Sequence, residues 1–355
     1  MTTRYLPLAL RAYAEAPAAK PMKARPPRPS PYSLVIDCET TTHLEQELRF
    51  GFYRVYNGLE LEDEGAFSGF LQPHESKTLE DYCAKHGLTY MVLNEWVEKV
   101  FYEFGYRLHG QVVGFNLPFD LSRLAQRWAV SRGSMSGGWT FYLADDTAAT
   151  PPLQIKSLSH HRAVIRFRSR WADRAPRSMR KRELPVRPYR GHFVDVHTFA
   201  HCLLGSSFTL SELCKTLGVK HGKLITKGHG KLTPAYLKYA ERDPLATWEC
   251  FLKLREQLRG SGLKVEPSSL YSEAGVAKAI LRQMGVKPWR QLQPGFHPEL
   301  LGIIWSTYYA GRSELHLRRE HRPSVYLDFT SQYPAIAALM GLWRYLTATG
   351  IEVSE

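Results

Sequence analysis

Short apolar runs alternate with amphipathic stretches after residue 32, and this alternation constrains the fold more than any other feature of the sequence. Ser33–Cys38 is a short apolar run, and Arg49–Tyr56 is rich in aromatic and β-branched residues and ends at the turn signal Asn57-Gly58. The segments that follow predict a strand over Gly65–Leu71, a helix over Leu93–Leu108, a strand over Gln111–Phe115 and a helix over Phe119–Val130. Three hairpin-linked strands followed by helix crossovers predict an α/β fold with a mixed sheet flanked by helices.

The chain is strongly basic, with 47 Lys and Arg against 34 Asp and Glu in 355 residues, a net charge of +13. Such an excess favours a polyanionic partner, either nucleic acid or an anionic membrane face. No apolar run approaches the roughly 20 residues of a membrane helix, so we expect no membrane-spanning segment. The N-terminal residues lack an apolar signal core, and the five cysteines are scattered, so we expect a cytoplasmic protein with reduced thiols.

Composition also suggests how the chain is divided. Residues 1–31 contain seven prolines among Ala, Lys and Arg, which predicts a disordered tail. Residues 32–265 are expected to form the first domain, with a basic insertion over 150–191. Eleven Lys and Arg lie between Arg162 and Arg190 against two acidic residues. That run is either solvated surface or a contact for a phosphate backbone.

The carboxylates are the candidates for chemistry. Asp37 and Glu39 lie two residues apart at a predicted strand end, on one face, where carboxylate oxygens can hold hard divalent cations. Asp120 lies near the start of a helix that follows the predicted strand Gln111–Phe115, where it is either a site residue or a partner of the helix dipole. Tyr239 and Asp243 lie one turn apart on one face of a helix that begins at Thr233-Pro234 and that Pro244 is expected to kink or split. Together the four carboxylates and the tyrosine suit two cations about 3.5–4 Å apart that hydrolyse a phosphodiester.

These motifs resemble, in order, the three exonuclease motifs of the family B DNA polymerases, and Asp37-Cys-Glu-Thr-Thr-Thr42 is most similar to the protein-primed, organellar and viral branch. The resemblance implies a ribonuclease H-like 3′–5′ proofreading domain that uses two Mg²⁺ or Mn²⁺ ions on single-stranded DNA 3′ ends. By this resemblance Asp37 and Glu39 bridge the metals and Asp120 supports the second one. Asp243 binds the metal that carries the attacking water, and Tyr239 orients that water.

The same resemblance implies DNA-binding residues. Thr40, Asn116 and Phe119 would hold the single-stranded 3′ end. A lysine that contacts the scissile phosphate is expected before the third motif, and Lys220 and Lys223 are both candidates. The Ser/Thr-Leu pair of that branch is replaced here by Val196-His197.

The resemblance extends through a helical connector over 266–322 and into a polymerase palm over 323–355. Tyr308-Tyr-Ala-Gly-Arg312 is similar to the Y-x-G-G segment that contacts template, with Tyr309, Gly311 and Arg312 as candidates. Asp328-Phe-Thr-Ser-Gln-Tyr-Pro334 resembles the first palm motif, with Asp328, Ser331 and Tyr333 in the incomplete polymerase site. The second palm carboxylate and the Lys-bearing motif do not occur before Glu355, so we expect no DNA synthesis by this chain alone. We expect a fragment of a longer polymerase or a truncated gene product. Its expected partners are primer-template DNA and the rest of the polymerase. The resemblance to the protein-primed branch also implies a terminal protein primer.

Several alternatives stay open from the sequence. The chain could be a non-catalytic DNA-binding fragment, or a free-standing ribonuclease of the same four-carboxylate type. His197 and His201, one helical turn apart, could bind zinc or form a partly buried polar pair. Four aromatic residues near the insertion either stack on bases or pack in the protein: Trp128, Trp139, Phe141 and Tyr142.

Overall fold

The computed structural model describes residues 28–145, 150–159, 162–168, 189–224, 230–286, 294–295, 297–299, 316–325, 327 and 329–341. The chain divides into two compact units, one of Pro26–Met284 and one that joins Met1–Arg25 to Gly285–Glu355. The predicted N-terminal tail, up to residue 27, and the centre of the basic insertion, residues 169–188, lie outside the described residues.

Two sheets form the first unit. The six strands of the first sheet are β1 (Tyr32–Thr40), β2 (Leu48–Asn57), β3 (Glu60–Ser68), β4 (Thr89–Val92), β5 (Gln111–Gly114) and β10 (His192–Asp195). Their order is β10-β5-β1-β2-β3-β4, with β1 parallel to β5 and antiparallel to β2. The second sheet has the order β6-β7-β8-β9, formed by Arg127–Val130, Trp139–Tyr142, Leu153–Ser159 and Arg162–Phe167. The mixed α/β architecture predicted from the sequence is confirmed.

Helices cover the first sheet. Those of the first unit are α1 (Pro73–His86), α2 (Leu93–Trp96), α3 (Leu117–Arg123), α4 (Val196–Leu204), α5 (Leu210–Leu217), α6 (Pro234–Gly260) and α7 (Glu273–Gln283). Helix α2 continues as the π-helical turns Val97–Phe101 and Glu103–Arg107, and single 3₁₀ turns occur at Gly133–Met135 and Pro267–Ser269. Helix α8 (Gln332–Leu339) belongs to the second unit. Of the helices in the described part of the chain, none combines the length and the apolar character needed to cross a bilayer.

The structure corrects several predicted elements. The helix expected over Phe119–Val130 is wrong, because α3 ends at Arg123 and β6 follows. The β-branched and aromatic residues of β6 pair with β7, and this tertiary pairing outweighs the helical spacing. Pro244 does not split α6, whose 27 residues include it without a break, and the helix packs across β1 and β2. The third strand begins earlier than predicted, at Glu60, and α1 and β4 were not predicted.

The alternation of side chains along β1 positions the site. Leu34 and Ile36 point into the core cluster that contains Trp96 and Phe101 of the α2 segment, and Val35 points into the cluster on the opposite face, beneath α6. Because successive strand residues alternate between faces, Asp37 and Glu39 share the face of Val35. The core on both sides of β1 therefore fixes which helix faces the two carboxylates.

Candidate metal centre

The carboxylates collect where three parallel strands end. Strands β10, β5 and β1 run parallel, so their carboxyl ends meet at one edge of the sheet. Asp37 and Glu39 lie at the end of β1, Asp120 lies in the helix after β5, and Asp195 ends β10. Sites in open α/β sheets form at this edge, because the loops and helices that follow the strands converge there.

Helix α6 brings in a carboxylate from the face of the sheet. Asp37, Glu39 and Asp243 each offer an oxygen atom, and these three atoms lie within 4.8 Å of one another. Asp243 is buried, whereas Asp37 and Glu39 are half-buried. The cluster thus brings the two carboxylates of the first motif, on β1, together with the carboxylate of the third motif, on α6.

Asp120 lies beside β1. Its Oδ1 atom accepts a hydrogen bond at 3.1 Å from the backbone N–H of Cys38, the residue between Asp37 and Glu39, so Asp120 lies close to both of those carboxylates. Asp195, which the sequence analysis did not select, caps α4 by accepting from Thr198 and also accepts from the Leu117 backbone N–H at 3.1 Å. Asp195 therefore joins α3 to α4, and its position at a strand end three residues before Thr198 was a usable signal of this cap.

The structure separates the two candidate lysines. Lys220 is exposed, whereas the Lys223 Nζ atom lies 2.5 Å from Asp243 Oδ2 and 4.8 Å from the centre of the Tyr239 ring. The segment before Lys223 is fixed to α6, because the backbone N–H of His221 donates to Glu249 at 2.7 Å. Lys223 is therefore the lysine that contacts the carboxylate cluster.

Burial and mutual repulsion disfavour the ionised form of the clustered carboxylates when no cation is bound. Burial raises the pKa of Asp37 well above its usual range, and the neighbouring carboxylates, that of Asp120 foremost, raise it further. Burial likewise raises the pKa of Asp120 and of Asp243, although Lys223 opposes the shift at Asp243. Burial alone would lower the pKa of Lys223, but the Asp243 carboxylate outweighs it and the pKa is raised.

These features fit a bound cation. Asp243 Oδ1 is buried and accepts no hydrogen bond from the residues that the structure describes. A buried carboxylate oxygen left without a donor is costly unless a cation or water occupies the position in front of it. Hard divalent cations take carboxylate oxygens as ligands, so the donor set of Asp37, Glu39 and Asp243 fits Mg²⁺ or Mn²⁺.

Tyr236 is a part of the centre that the sequence analysis missed. Its buried hydroxyl donates to Glu39 Oε2 at 2.5 Å, and its ring stacks on Tyr239 at a centroid distance of 6.1 Å. Tyr236 and Tyr239 are three residues apart on α6, so helical spacing placed them on one face and could have indicated the second tyrosine. The contact with Glu39, in contrast, depends on how α6 packs across β1.

A cleft of about 510 Å³ opens beside the cluster. It is lined by Asp37 and Lys223 on one side, and elsewhere by Phe115, Asn116, His197, Phe208, Thr209, Leu210 and Ser211. This volume lies in the range of small-ligand sites, which is roughly 300–1,000 Å³. Asn116 is exposed and has a left-handed φ of 63°, so the chain turns sharply there before α3.

The remaining predicted DNA-binding residues have separate positions. Thr40 is half-buried at the end of β1, and half-buried Phe119 lies beneath the Arg123 guanidinium at 4.7 Å. Ser331 and Tyr333 belong to the second unit, at the beginning of α8. Tyr309, Gly311, Arg312 and Asp328 lie outside the described residues. The strand predicted over Ser324–Phe329 is not formed by its described residues, which have irregular backbone.

The two histidines considered for zinc have other partners. His197 Nε2 lies 3.0 Å from the Ser207 hydroxyl, and His201 Nε2 lies 3.6 Å from a Glu273 carboxylate oxygen. All five cysteines are buried and free. The described residues therefore give the histidine pair no set of three clustered zinc ligands.

The comparisons with known proteins find similarity among solved structures alone. Neither a family model nor a curated protein matches the chain. Among solved structures, the chain is similar to Phi29 DNA polymerase complexed with single-stranded DNA, at 12% sequence identity and a TM-score of 0.33. The similarity covers 74% of this chain and 36% of that polymerase, so the chain spans about a third of its length. Identity and TM-score at these levels establish no activity, so the proposal below depends on the geometry of the site.

Proposed function

We propose that this chain is a metal-dependent 3′–5′ exonuclease, the proofreading portion of a family B DNA polymerase, and that its first sheet is the ribonuclease H-like core of that domain. The observation that carries the proposal is the convergence of one oxygen each of Asp37, Glu39 and Asp243 to within 4.8 Å, with Asp120 bonded to the β1 backbone beside them. Because these residues come from three separate segments, a shared functional role explains the convergence better than chance acidity does.

The chemistry follows from the donor set. Two divalent cations held by such carboxylates activate a water and stabilise the leaving oxygen of a phosphodiester. Asp37, Glu39 and Asp243 would hold the cations, with Asp120 supporting the second. Without cations the buried carboxylates repel one another, so the site is built to be completed by positive charge.

Other side chains would position the substrate. Burial raises the pKa of Tyr239, so its phenol stays protonated at neutral pH and can donate a hydrogen bond to the attacking water. Lys223, beside Asp243, supplies a positive charge in the lining of the cleft, where a scissile phosphate would lie. Thr40, Asn116 and Phe119 would hold the single-stranded 3′ end.

The polymerase part of the proposal concerns the second unit. Tyr309, Gly311 and Arg312 would contact primer-template DNA, and Asp328, Ser331 and Tyr333 would contribute to a palm that is incomplete without a second carboxylate. DNA synthesis by this chain would require further polymerase sequence. A terminal protein primer is proposed only on the similarity of the first motif to the protein-primed branch.

A nuclease assay on the full chain tests the proposal. The substrates are 5′-labelled single-stranded DNA, the same DNA in a blunt duplex, and single-stranded RNA, each with Mg²⁺, Mn²⁺ or EDTA. The proposal expects a ladder that shortens from the 3′ end of single-stranded DNA, slows on the duplex and disappears in EDTA. Preferential degradation of RNA would instead favour a ribonuclease, and DNA binding without degradation would favour a non-catalytic fragment.

Replacing Tyr236 by Phe tests the support of Glu39. The change removes one hydrogen bond to a charged group, which contributes about 1.5–3 kcal/mol, so we expect about a 10- to 100-fold loss of nuclease activity at low Mg²⁺. Activity should be partly recovered at high Mg²⁺, because Glu39 is misplaced rather than absent. Titration of activity against Mg²⁺ measures both effects.

Tyr82→Phe is the matched control for that change. It removes a tyrosine–glutamate hydrogen bond of the same 2.5 Å length, to Glu241, outside the carboxylate cluster. The control should lose stability without a shift in Mg²⁺ dependence. Equal Mg²⁺ titrations for the two variants would show that Tyr236 has no special role.

A further inference from the structure

Two buried cysteines meet between α5 and α6. The sulfur atoms of Cys214 and Cys250 lie 3.6 Å apart, and both side chains belong to the apolar cluster beneath α6. Cys250 is fully buried, whereas Cys214 keeps 5% of its surface exposed. A sulfur–sulfur bond is about 2.05 Å long, so the two atoms need to approach by only roughly 1.5 Å to form a disulfide.

The surroundings of Cys214 favour its reactive form. The hydrogen bond between the two thiols lowers the pKa of Cys214 and outweighs burial, which raises it. The backbone N–H of Lys223, which donates to the Cys214 sulfur, lowers that pKa further. The bond between the thiols raises the pKa of Cys250, and burial adds to the effect. Because the thiolate is the nucleophile in thiol oxidation, Cys214 is the thiol that reacts first and Cys250 the one that reacts second.

Burial alone does not make this pair unusual. A buried cysteine ordinarily behaves as a small, inert apolar side chain. Cys202 on α4 is of that kind, because it is also 5% exposed and burial raises its pKa to about 11. Cys214 therefore differs from Cys202 in its contacts with a second thiol and with a backbone N–H, and not in its exposure.

The thiol pair is connected to the carboxylate cluster through Lys223. The Lys223 backbone bonds to the Cys214 sulfur, and a side chain at Gly222 would bring its first carbon to 3.8 Å from the Cys214 Cβ atom. Cys250 follows Asp243 by seven residues, so helical periodicity places the two on one side of α6. The two cysteines therefore join the segments that bring Lys223 and Asp243 together.

We propose that Cys214 and Cys250 are a redox modification site, which a hydroperoxide oxidises to a disulfide, and that the disulfide releases Lys223 from Asp243. A disulfide sulfur carries no negative charge and is drawn toward Cys250, so it is a poorer acceptor for the Lys223 N–H. Without that acceptor the Lys223 segment loses its support on α5. Only the effect on activity rests on the proposed function, because the disulfide itself involves neither metal nor DNA.

The oxidation proceeds in two steps, with hydrogen peroxide as the simplest oxidant. The Cys214 sulfur bonds to one peroxide oxygen and the O–O bond breaks, so Cys214 becomes a sulfenic acid and the departing hydroxide takes up a proton to form water. The Cys250 sulfur then attacks the Cys214 sulfur, the S–O bond breaks, and the hydroxyl group leaves with the Cys250 proton as a second water. The two thiols lose two electrons and two protons, and one peroxide is reduced to two waters. A dithiol reductant reverses the modification.

The disulfide is tested on the full chain in EDTA, without DNA and without any substitution. Hydrogen peroxide is added and removed, free thiols are blocked with N-ethylmaleimide under denaturing conditions, and the peptides from trypsin and Glu-C are analysed by mass spectrometry. Cleavage at Glu212 separates Cys202 from Cys214. The free thiols should fall from five to three, with Cys214 linked to Cys250. Five free thiols, or a different linked pair, would overturn the inference.

The release of Lys223 is measured by its acetylation with an N-hydroxysuccinimide ester, with exposed Lys220 as the internal reference. The Asp243 contact shields the Lys223 amine in the reduced chain, so oxidation should speed its acetylation several-fold relative to Lys220. Cys214→Ser keeps an oxygen acceptor for the Lys223 N–H and forms no disulfide, so peroxide should leave its acetylation unchanged. Cys202→Ser is the matched control and should respond like the parent. Unchanged acetylation in the oxidised parent would overturn the link to the cluster.

Nuclease activity with Mg²⁺ then tests the consequence for the site. Oxidation should lower the initial rate several-fold, dithiothreitol should restore it, and Cys214→Ser should keep its rate after peroxide treatment. An equal loss of rate in the parent and in Cys214→Ser would overturn the regulation, since the loss would then come from oxidation elsewhere. A reduced parent chain without nuclease activity would overturn the proposed exonuclease instead, whereas the thiol count and the acetylation, which need no DNA, would still decide this inference.

Discussion

Replacing Asp37 and Glu39 together by alanine is expected to abolish 3′–5′ nuclease activity while single-stranded DNA binding persists. The two carboxylates supply two of the three clustered oxygen ligands, so no divalent cation should remain correctly placed. Cation stabilisation of the transition state contributes several kcal/mol, so we expect a fall of about 10³-fold or more. The measurement is the initial rate of shortening of 5′-labelled DNA, alongside a binding titration.

The alanine variant should also lose its response to metal. Metal that binds only the folded state raises the melting temperature. Mg²⁺ should therefore stabilise the parent protein against heat and leave the double variant unaffected. Without metal, the variant is relieved of the repulsion on Asp120 and Asp243 but loses the acceptor of the Tyr236 hydroxyl, so the metal response is measured for each protein as its own difference in melting temperature between Mg²⁺ and EDTA.

Glu60→Ala/Glu62→Ala is the matched control for this prediction. It removes two exposed carboxylates with the same spacing on β3, and neither belongs to the cluster. The control should keep full activity and the full metal response. Nuclease activity that survives in Asp37→Ala/Glu39→Ala would show that the cluster is not the catalytic centre, even if the chain does degrade DNA.

The local part of the site could be predicted from the sequence. The apolar run of β1 sets the strand, and strand periodicity alone places Asp37 and Glu39 on one face. The capping box at Thr209 and the left-handed Gly218 likewise set the ends of α5 through local residues. These features depend on residues within a few positions of one another, which is why a single sequence reveals them.

Contacts between distant segments could not be predicted in the same way. The choice between Lys220 and Lys223 depends on the His221–Glu249 contact, which fixes that segment to α6. The bond from Tyr236 to Glu39 joins residues 197 positions apart. The helix predicted over β6 followed the local helical spacing, whereas the pairing with β7 that stabilises the strand is a contact between separate segments. The missed features are therefore tertiary ones.

Lys223→Met is expected to lower the free energy of unfolding by about 2–3 kcal/mol in EDTA, because it leaves the buried Asp243 carboxylate without its cationic partner. Removing one member of a buried pair is costly, since the remaining charge stays desolvated. Lys220→Met is the control, and because Lys220 is exposed it should change stability by less than about 0.5 kcal/mol. Urea denaturation measures all the variants.

A second substitution identifies the source of the loss. Lys223→Met combined with Asp243→Asn should regain most of the stability, because the amide carries no charge to be compensated. Saturating Mg²⁺ should also narrow the gap between Lys223→Met and the parent, because a cation at the cluster replaces the missing ammonium charge beside Asp243. If Lys223→Met loses no more stability than Lys220→Met, the ion pair is not maintained in solution. If the loss is large but unaffected by Mg²⁺, Asp243 is a structural partner of Lys223 rather than a metal ligand, and the nuclease centre would have to be built without α6.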